Sequence, residues 1–340
     1  MSGLFDTYLW LVHYVLRVAD RAVEGLGLRG GYLDRFLDWL AGPADVAVAA
    51  VVAAVGLAVY AALAGAVFSW LDRRVRARSE GRLGPRYWGV GGFMQGWADW
   101  AKLLVRRPSG DGSAAWGALS GALVIGALAL LPAGGWLRIV DPGWAVPVAA
   151  GLLSLAPLPL AAAAPAGTRA GHLASAAASG AVLLLAVASA VMIAGDGSGG
   201  GMVSFQAGNW PLAVLSPLGF LLYVYAYWVE AGRLHAFRWG PPGESPGPRV
   251  AIARYAMDAR HFALGLLGAV AFLGGWWGPV AWGSWWTLAK ALGLAASASF
   301  LSAALPTAMA PGVPRDARAR WLPLAALHLA LVAVVLEVQA

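Results

Sequence analysis

The side chains that could carry chemistry in this chain are the few ionisable residues inside long apolar segments. Glu230 ends one such segment, Lys290 lies within another, and His328 lies within the last. Because a charged group inside a bilayer is costly, each of these residues is a candidate for moving protons or compensating charge. Four more ionisable residues stand at the starts of two other segments: His172, Asp258, Arg260 and His261.

Each candidate also has a simpler structural interpretation. Glu230 at a helix end can reach the lipid headgroups, and Lys290 can extend its ammonium group to the interface. His328 is interpreted as a hydrogen-bonded packing residue, whereas His172 and His261 are interpreted as interfacial residues. Because no Ser-His-Asp set, paired carboxylates or metal-ligand cluster stands out, we expect no complete active site, bound metal or flavin in this chain alone.

Composition identifies the class of protein. The 340 residues are 60% hydrophobic and 12% charged, against about 25% charged in soluble domains. The net charge of +7 is first a topology signal in such a chain, so nucleic acid is not an expected partner. Cysteine is absent, which excludes disulfides, cysteine-ligated iron–sulfur clusters and a thiolate nucleophile. The sequence therefore predicts a polytopic membrane protein.

Hydropathy predicts an all-α integral membrane protein with eight transmembrane helices, because a helix needs about 20 apolar residues to span a bilayer. The predicted spans are 47–71, 115–133, 144–165, 173–194, 209–229, 256–275, 284–306 and 319–338. They form one predicted membrane domain, 45–340. Residues 1–44 are too polar to span and are predicted to be an amphipathic N-terminal extension on the outer side.

Basic residues predict the orientation. The alternate loops predicted to be cytoplasmic are 72–114, 166–172, 230–255 and 307–318. With their flanks these loops hold eighteen Lys and Arg residues, whereas the opposite loops hold only Arg138. By the positive-inside rule the basic loops face the cytoplasm, and eight spans then leave both termini on the outer side.

The first predicted cytoplasmic loop has an unusual order of elements. Six arginines fall between Arg73 and Arg86, around a turn at Gly84-Pro85, directly after the first span. An amphipathic helix is predicted to follow and to lie in the membrane interface. Its apolar face comprises Phe93, Trp97, Trp100 and Leu104, and its polar face comprises Gln95, Asp99, Lys102 and Arg106.

The segment Asp72–Leu104 resembles the first cytoplasmic loop of the H-subunit family of bacterial NADH:quinone oxidoreductase, or respiratory complex I. The matching residues are Arg73, Val75, Arg78, Arg82, Gly84, Pro85, Gly89, Gly92, Gln95, Ala98, Asp99, Lys102, Leu103 and Leu104. Weaker matches are Glu230 with Arg233, the FLGGW run at 272–276, Lys290, and Trp321-Leu322-Pro323.

This resemblance implies a role in a complex of the bacterial plasma membrane. Quinone would be the substrate, and the partners would be the lipid bilayer and the other membrane-arm and hydrophilic-arm subunits. The chain would hold no redox centre of its own. The resemblance implies that the quinone chamber and docking surface include Arg73, Arg78, Arg82, Gln95, Asp99, Lys102, Glu230 and Arg233. It also implies that Lys290 is a membrane-embedded charge.

The sequence departs from this family where buried acids are usual. The loop after the fifth predicted span has only Glu244 and Asp258, and the fourth span lacks the usual glutamate and arginine. Two alternatives therefore stay open: the membrane anchor of an energy-converting [NiFe] hydrogenase, and a non-catalytic structural paralogue. A stand-alone transporter is disfavoured because no inverted repeat is visible.

Overall fold

The computed structural model describes residues 44–106, 114–134, 139–164, 166–236, 247–279, 283–305 and 320–339, with backbone only for 44–50, 52, 234–236 and 339. Nearly all of the predicted N-terminal extension 1–44, the acid-poor stretch 237–246 and the whole of the loop 307–318 lie outside these residues. Within the described residues the regular elements are all helical, which confirms the all-α prediction.

Twelve α-helices occupy the described ranges. They are α1 Ala44–Ser79, α2 Gln95–Val105, α3 Ala115–Leu130, α4 Ala145–Leu155, α5 Pro157–Ala162, α6 Ala166–Ala194, α7 Gly199–Gly208, α8 Leu212–Leu215, α9 Pro217–Ala236, α10 Pro248–Phe272, α11 Ser284–Ala304 and α12 Leu322–Gln339. Each predicted span overlaps one long helix, except that the third corresponds to α4 and α5 together. Pro157 separates that pair, because proline cannot supply the N–H that a continuous helix would need.

Four stretches are long and apolar enough to cross a membrane by length and composition. They are Ala53–Ser79, Ala145–Ala162, Ala166–Ala194 and Ser284–Ala304. Helices α3 and α12 are shorter but also apolar. The chain is therefore a multi-pass membrane protein, while the full set of eight spans stays a prediction.

Helix α1 is longer than its predicted span, because four of the arginines expected in a turn lie on the helix itself. Arginine favours helix, and no helix breaker occurs before Gly81, whose φ is +66°. There the N–H of Gly81 bonds the carbonyl of Arg78 (3.2 Å) and the N–H of Arg82 bonds the carbonyl of Ala77 (2.6 Å). This Schellman arrangement ends the helix and turns the chain back.

The returning loop is fixed against α1 by a short contact at Gly91 and Gly92. The indole Nε1 of Trp70 and the guanidinium of Arg74 both donate to the carbonyl of Gly91, each at 3.0 Å. Gly92 has a φ of +74°, and a Cβ there would overlap the carbonyl of Pro85. Only glycine fits this position without strain, so it holds the start of α2 beside α1.

Helix α2 occurs where the amphipathic helix was predicted, but its two faces are used differently from the prediction. On the apolar face Trp100 is buried against Tyr255 of α10, whereas Phe93 and Leu104 are exposed. On the polar face Asp99 turns toward α1, because a buried arginine of α1 binds it there. A position in the membrane interface stays a prediction.

Helix α10 is the centre of the bundle. It packs on α1, α2, α3, α9 and α11, and every residue from Asp258 to Phe272 is buried. Glycines let these helices approach closely, as small residues do in membrane bundles. A Cβ on Gly65 of α1 would lie 3.0 Å from the amide nitrogen of Ala259. Arg254, Asp258, Arg260 and His261 of α10 are therefore enclosed by neighbouring helices.

Candidate functional site

Glu230 lies in a buried cluster of polar groups between α6, α9 and α10. Its carboxylate is 8% exposed and forms ion pairs with Arg233 on the same helix and with Arg260 on α10. The hydroxyl of Ser179 donates to it at 3.1 Å. Arg233 in turn donates to Ser179 at 2.9 Å and to Ser175 at 2.6 Å. We call these five residues the Glu230 network.

Arg260 extends the Glu230 network to α4. Its Nε donates to the carbonyl of Leu153 at 2.8 Å, while its Nη2 is a buried atom without a partner in the described structure. Two guanidinium groups therefore share one carboxylate in a buried place. Such a cluster depends on the carboxylate, because an unpaired buried charge is strongly unfavourable.

A second cluster joins α1 to α2. Arg73 donates to Asp99 at 2.6 Å and to Ser69 at 3.3 Å, and Gln95 donates to the other oxygen of Asp99 at 2.9 Å. Asp99 is 25% exposed, whereas Glu230 is 8% exposed, so the carboxylate of this cluster is the more accessible of the two. We call Arg73, Asp99 and Gln95 the Arg73 cluster.

A third pair lies behind the Arg73 cluster on α10. Asp258 is fully buried, and its Oδ2 lies 3.5 Å from the Nε of Arg254. Arg254 also lies 3.4 Å from the hydroxyl of Ser69, which the guanidinium of Arg73 contacts as well. Ser69 thus joins the Arg73 cluster to this pair.

Asp72 and Arg76 form an ion pair within α1, with 2.8 Å between Oδ1 and Nε. Arg76 also donates to the carbonyl of Ala231 at 2.7 Å and to the hydroxyl of Ser302. The pair therefore ties α1 to both α9 and α11, close to the Glu230 network.

An open cleft with a volume of about 380 Å³ lies beside the Arg73 cluster. It is lined by Arg73, Ala77, Arg82, Leu83, Gly84, Pro85, Arg86, Tyr87 and Gln95. The lining combines hydrogen-bond donors with apolar surface, and Leu83 and Tyr87 are exposed at its rim. This combination suits a ligand with polar acceptor atoms and an apolar body.

The residues predicted from sequence divide among these places. Arg73, Arg82 and Gln95 share the cleft, and Asp99 binds Arg73 beside it. Glu230 and Arg233 lie together in the Glu230 network. Arg78 is exposed on α1, and the exposed Lys102 has its ammonium 5.9 Å from the centre of the Trp88 ring.

The remaining candidates lie elsewhere. Lys290 donates to the carbonyls of Gly275 (2.9 Å) and Trp277 (2.5 Å), so it binds the free carbonyls just beyond the end of α10. His328 lies 3.0 Å from the hydroxyl of Ser216, in agreement with its interpretation as a hydrogen-bonded packing residue.

The interfacial interpretation of His261 was wrong. The residue is 3% exposed, because α10 begins at Pro248 and neighbouring helices surround it on both sides. His172, by contrast, is exposed on α6.

Several residues in these clusters were not singled out from the sequence. Spacing could have indicated two of the pairs, because Asp72 with Arg76 and Arg254 with Asp258 are four residues apart on a helix. No local pattern could have paired Glu230 with Arg260, or Arg76 with Ser302, since those contacts depend on how helices pack. Among the described residues, no three His, Asp or Glu side chains are placed to hold a metal ion.

Comparison with known proteins agrees with this architecture. The family model described as NADH dehydrogenase matches residues 52–333, from within α1 to within α12. Two proteins named as a second H subunit of NADH-quinone oxidoreductase, from two strains of Cereibacter sphaeroides, are each 32% identical over 300 residues. Each alignment covers 79% of this chain and 92% of the relative. The family resemblance of the first loop is thereby confirmed, and this chain belongs to the NADH dehydrogenase family.

Proposed function

We propose that this chain is the H subunit of a proton-translocating NADH:quinone oxidoreductase in a bacterial plasma membrane. The observation that carries the proposal is the family match over residues 52–333, which contains every buried charged cluster described above. The relatives' name supplies the reaction. The chain forms part of the membrane arm, and partner subunits supply NADH oxidation and the redox centres.

In the membrane, eight spans cross the bilayer: α1, α3, α4 with α5, α6, α9, α10, α11 and α12. Both termini then lie on the outer side, and the loop between α1 and α2 lies on the cytoplasmic side. The excess of basic residues in alternate loops supports this orientation.

The cleft beside the Arg73 cluster is proposed to be part of the quinone chamber. A quinone presents carbonyl oxygens, which accept hydrogen bonds, on an apolar ring and tail. Arg73, Arg82 and Gln95 supply donors there, while Leu83 and Pro85 supply apolar surface. Asp99 holds the guanidinium of Arg73 in place, so it acts as a positioning residue.

The docking surface for the hydrophilic arm is proposed to lie next to this cleft. Arg78, Arg86 and Lys102 are exposed and basic, and they fit acidic partner surfaces by charge. The Glu230 network, with Glu230 and Arg233, has a different proposed role. It is the buried charge behind the chamber, where a change at the quinone is converted into proton movement. Lys290 is the membrane-embedded charge beyond the far end of α10.

The test is to tag this chain, extract it in mild detergent from native membranes and identify the co-purifying proteins by mass spectrometry. We expect iron–sulfur and flavin subunits together with NADH:quinone activity. Recovery with a nickel-containing catalytic subunit would assign the chain to an energy-converting hydrogenase instead. Recovery of the chain alone would contradict both assignments.

The activity of the purified complex then tests the cleft. Asp99→Asn keeps the shape of the side chain but removes its charge, and Arg169→Gln removes an exposed charge on α6 that lies outside the cleft. A higher KM for quinone in Asp99→Asn, with no change in Arg169→Gln, would support the assignment of the cleft to the quinone chamber. Equal behaviour of both variants would place the quinone elsewhere.

A further inference from the structure

His261 lies at the junction of α1, α9 and α10, and neither the fold nor the proposed quinone chamber accounts for it. Its ring lies between Phe68 of α1 and Tyr227 of α9, in edge-to-face contact with both at centroid distances of 6.1 Å and 5.1 Å. The two contacts fix where the imidazole lies in this junction.

Both ring nitrogens of His261 are buried and have no hydrogen-bond partner among the described residues. The nearby hydroxyl of Tyr227 donates to the backbone carbonyl of His261 at 2.7 Å, so its proton is already engaged there. Buried polar atoms in proteins nearly always find partners, either in the protein or in ordered water. Water molecules held at the two nitrogens are therefore the natural partners.

The charged neighbours of the imidazole come from two sides. Asp72 lies one helical turn after Phe68 on α1, where it pairs with Arg76, and Glu230 lies one turn after Tyr227 on α9, where it pairs with Arg260. The first of these pairs is the ion pair within α1, and the second belongs to the Glu230 network. His261 thus stands between two buried groups of charges, each held together by its own ion pair.

The structure of these neighbours favours a neutral imidazole. Each side presents one acid already paired with a guanidinium, and burial without a hydrogen-bond partner disfavours a positive charge on the ring. A neutral imidazole has one nitrogen that donates and one that accepts. It can take up a proton from water on one side while releasing a proton to water on the other.

We infer that His261 is a proton-relay residue that links the Glu230 network to the Asp72–Arg76 pair through buried water. In one transfer the unprotonated nitrogen gains a proton from one side, and the N–H of the other nitrogen gives its proton to the opposite side. The ring ends neutral in the other tautomer, and a half-turn about its Cβ–Cγ bond exchanges the places of the two nitrogens, which restores the first arrangement without returning the proton. No electron moves in this step.

One end of the proposed relay lies on α1, the helix that also lines the proposed quinone chamber. Arg73, which lines the cleft, is the residue after Asp72 on α1, so the relay ends on the helix that forms one wall of the cleft. The inference rests on the proposed function, because only an enzyme that couples electron transfer to proton movement needs such a link.

The experiment compares proton uptake with NADH oxidation in the purified complex reconstituted into liposomes. His261→Gln keeps a hydrogen-bond donor and acceptor but cannot pass a proton through the side chain, whereas His261→Phe keeps a ring and removes both nitrogens. His172→Gln is the matched control, since His172 is exposed on α6. Proton uptake is followed with a pH-sensitive dye, and electron transfer by NADH absorbance.

Both His261 variants are expected to lose most of the protons moved per NADH oxidised, while His172→Gln keeps the ratio of the unaltered complex. An unchanged ratio in His261→Gln overturns the relay, whatever happens to the rate, because a residue that only holds structure or water would behave in that way. If His261→Gln fails to assemble, His261→Asn replaces it under the same criterion. Absence of quinone reduction by the unaltered complex would contradict the proposed function instead, before any variant is compared.

Discussion

Glu230 and Asp99 are both carboxylates bound to arginine, but they lie in different surroundings. Glu230 is 8% exposed and is shared by two guanidinium groups from two helices. Asp99 is 25% exposed and binds one guanidinium and one amide beside an open cleft. A buried pair of charges holds helices in one arrangement, whereas a partly exposed pair can present a donor to a ligand. We propose that the same pairing chemistry serves these two purposes here, and that burial decides which.

Removal of the buried carboxylate of Glu230 should have the largest effect on stability. Glu230→Ala leaves Arg233 and Arg260 facing each other without a counter-charge, so we expect a loss of about 3–5 kcal/mol in stability. Thermal unfolding of the detergent-solubilised protein measures this, and little assembled complex should be recovered.

A second substitution checks the cause of that loss. Glu230→Ala combined with Arg260→Met removes one of the stranded charges, so the double variant should be more stable than Glu230→Ala alone. If both variants unfold at the same temperature, charge imbalance is not the reason.

Removal of the partly exposed carboxylate of Asp99 should affect function more than stability. Asp99→Asn keeps an acceptor oxygen for Arg73 but removes the charge of a partly exposed ion pair, which should cost only about 1 kcal/mol in stability. We therefore expect the KM for quinone to rise on the order of tenfold, with the unfolding temperature nearly unchanged. A variant as unstable as Glu230→Ala would remove the distinction between the two carboxylates.

The buried region also depends on close helix packing. Gly268 of α10 faces the ring of Tyr223, and a Cβ there would lie 2.5 Å from a ring carbon. Gly268→Ala should therefore cost about 1–3 kcal/mol through overpacking. Gly293→Ala in α11 is the control, because its Cβ would meet nothing within 4 Å, and it should be neutral or slightly stabilising. Equal unfolding temperatures for the two variants would show that α9 and α10 can separate without cost.

The smallest effect is expected at Ser69, which joins the Arg73 cluster to the buried Arg254–Asp258 pair. Ser69→Ala removes two long contacts, of 3.3 Å and 3.4 Å, so the loss should be about 0.5–1.5 kcal/mol. Ser79→Ala, at the exposed end of the same helix, is the control and should change stability less. A rise in the KM for quinone without a measurable loss of stability would show that the Arg73 cluster and the Arg254–Asp258 pair are coupled through Ser69.

Prediction from sequence succeeded where the signal is local. Each of the predicted spans overlaps a long helix or a pair of helices, because apolar composition over about 20 residues is a property of the segment itself, while the count of eight membrane crossings stays a prediction. The helix predicted within the first loop was also found, as α2. The bounds were less accurate, since arginine continues a helix as well as leucine does, and α1 therefore runs on to Ser79.

Prediction of the site was partial for a related reason. Arg73, Gln95 and Asp99 were placed in one region correctly, because all three lie in one continuous motif. The interpretation of His261 failed because its burial depends on α1 and α9, which are distant in the chain. Its polarity alone suggested an interface, and only the packing of three helices shows that it is enclosed.

The sequence by itself determined that this is a helical membrane protein with a basic loop typical of one family, because hydropathy, charge and motif spacing belong to single segments. Only the tertiary structure decided that Glu230 pairs with Arg260, that Arg76 reaches Ser302, and that His261 is buried against Phe68 and Tyr227. The physical reason is that a buried charge is stabilised by whichever partner the neighbouring helix brings within reach, and that partner need not be close in the chain.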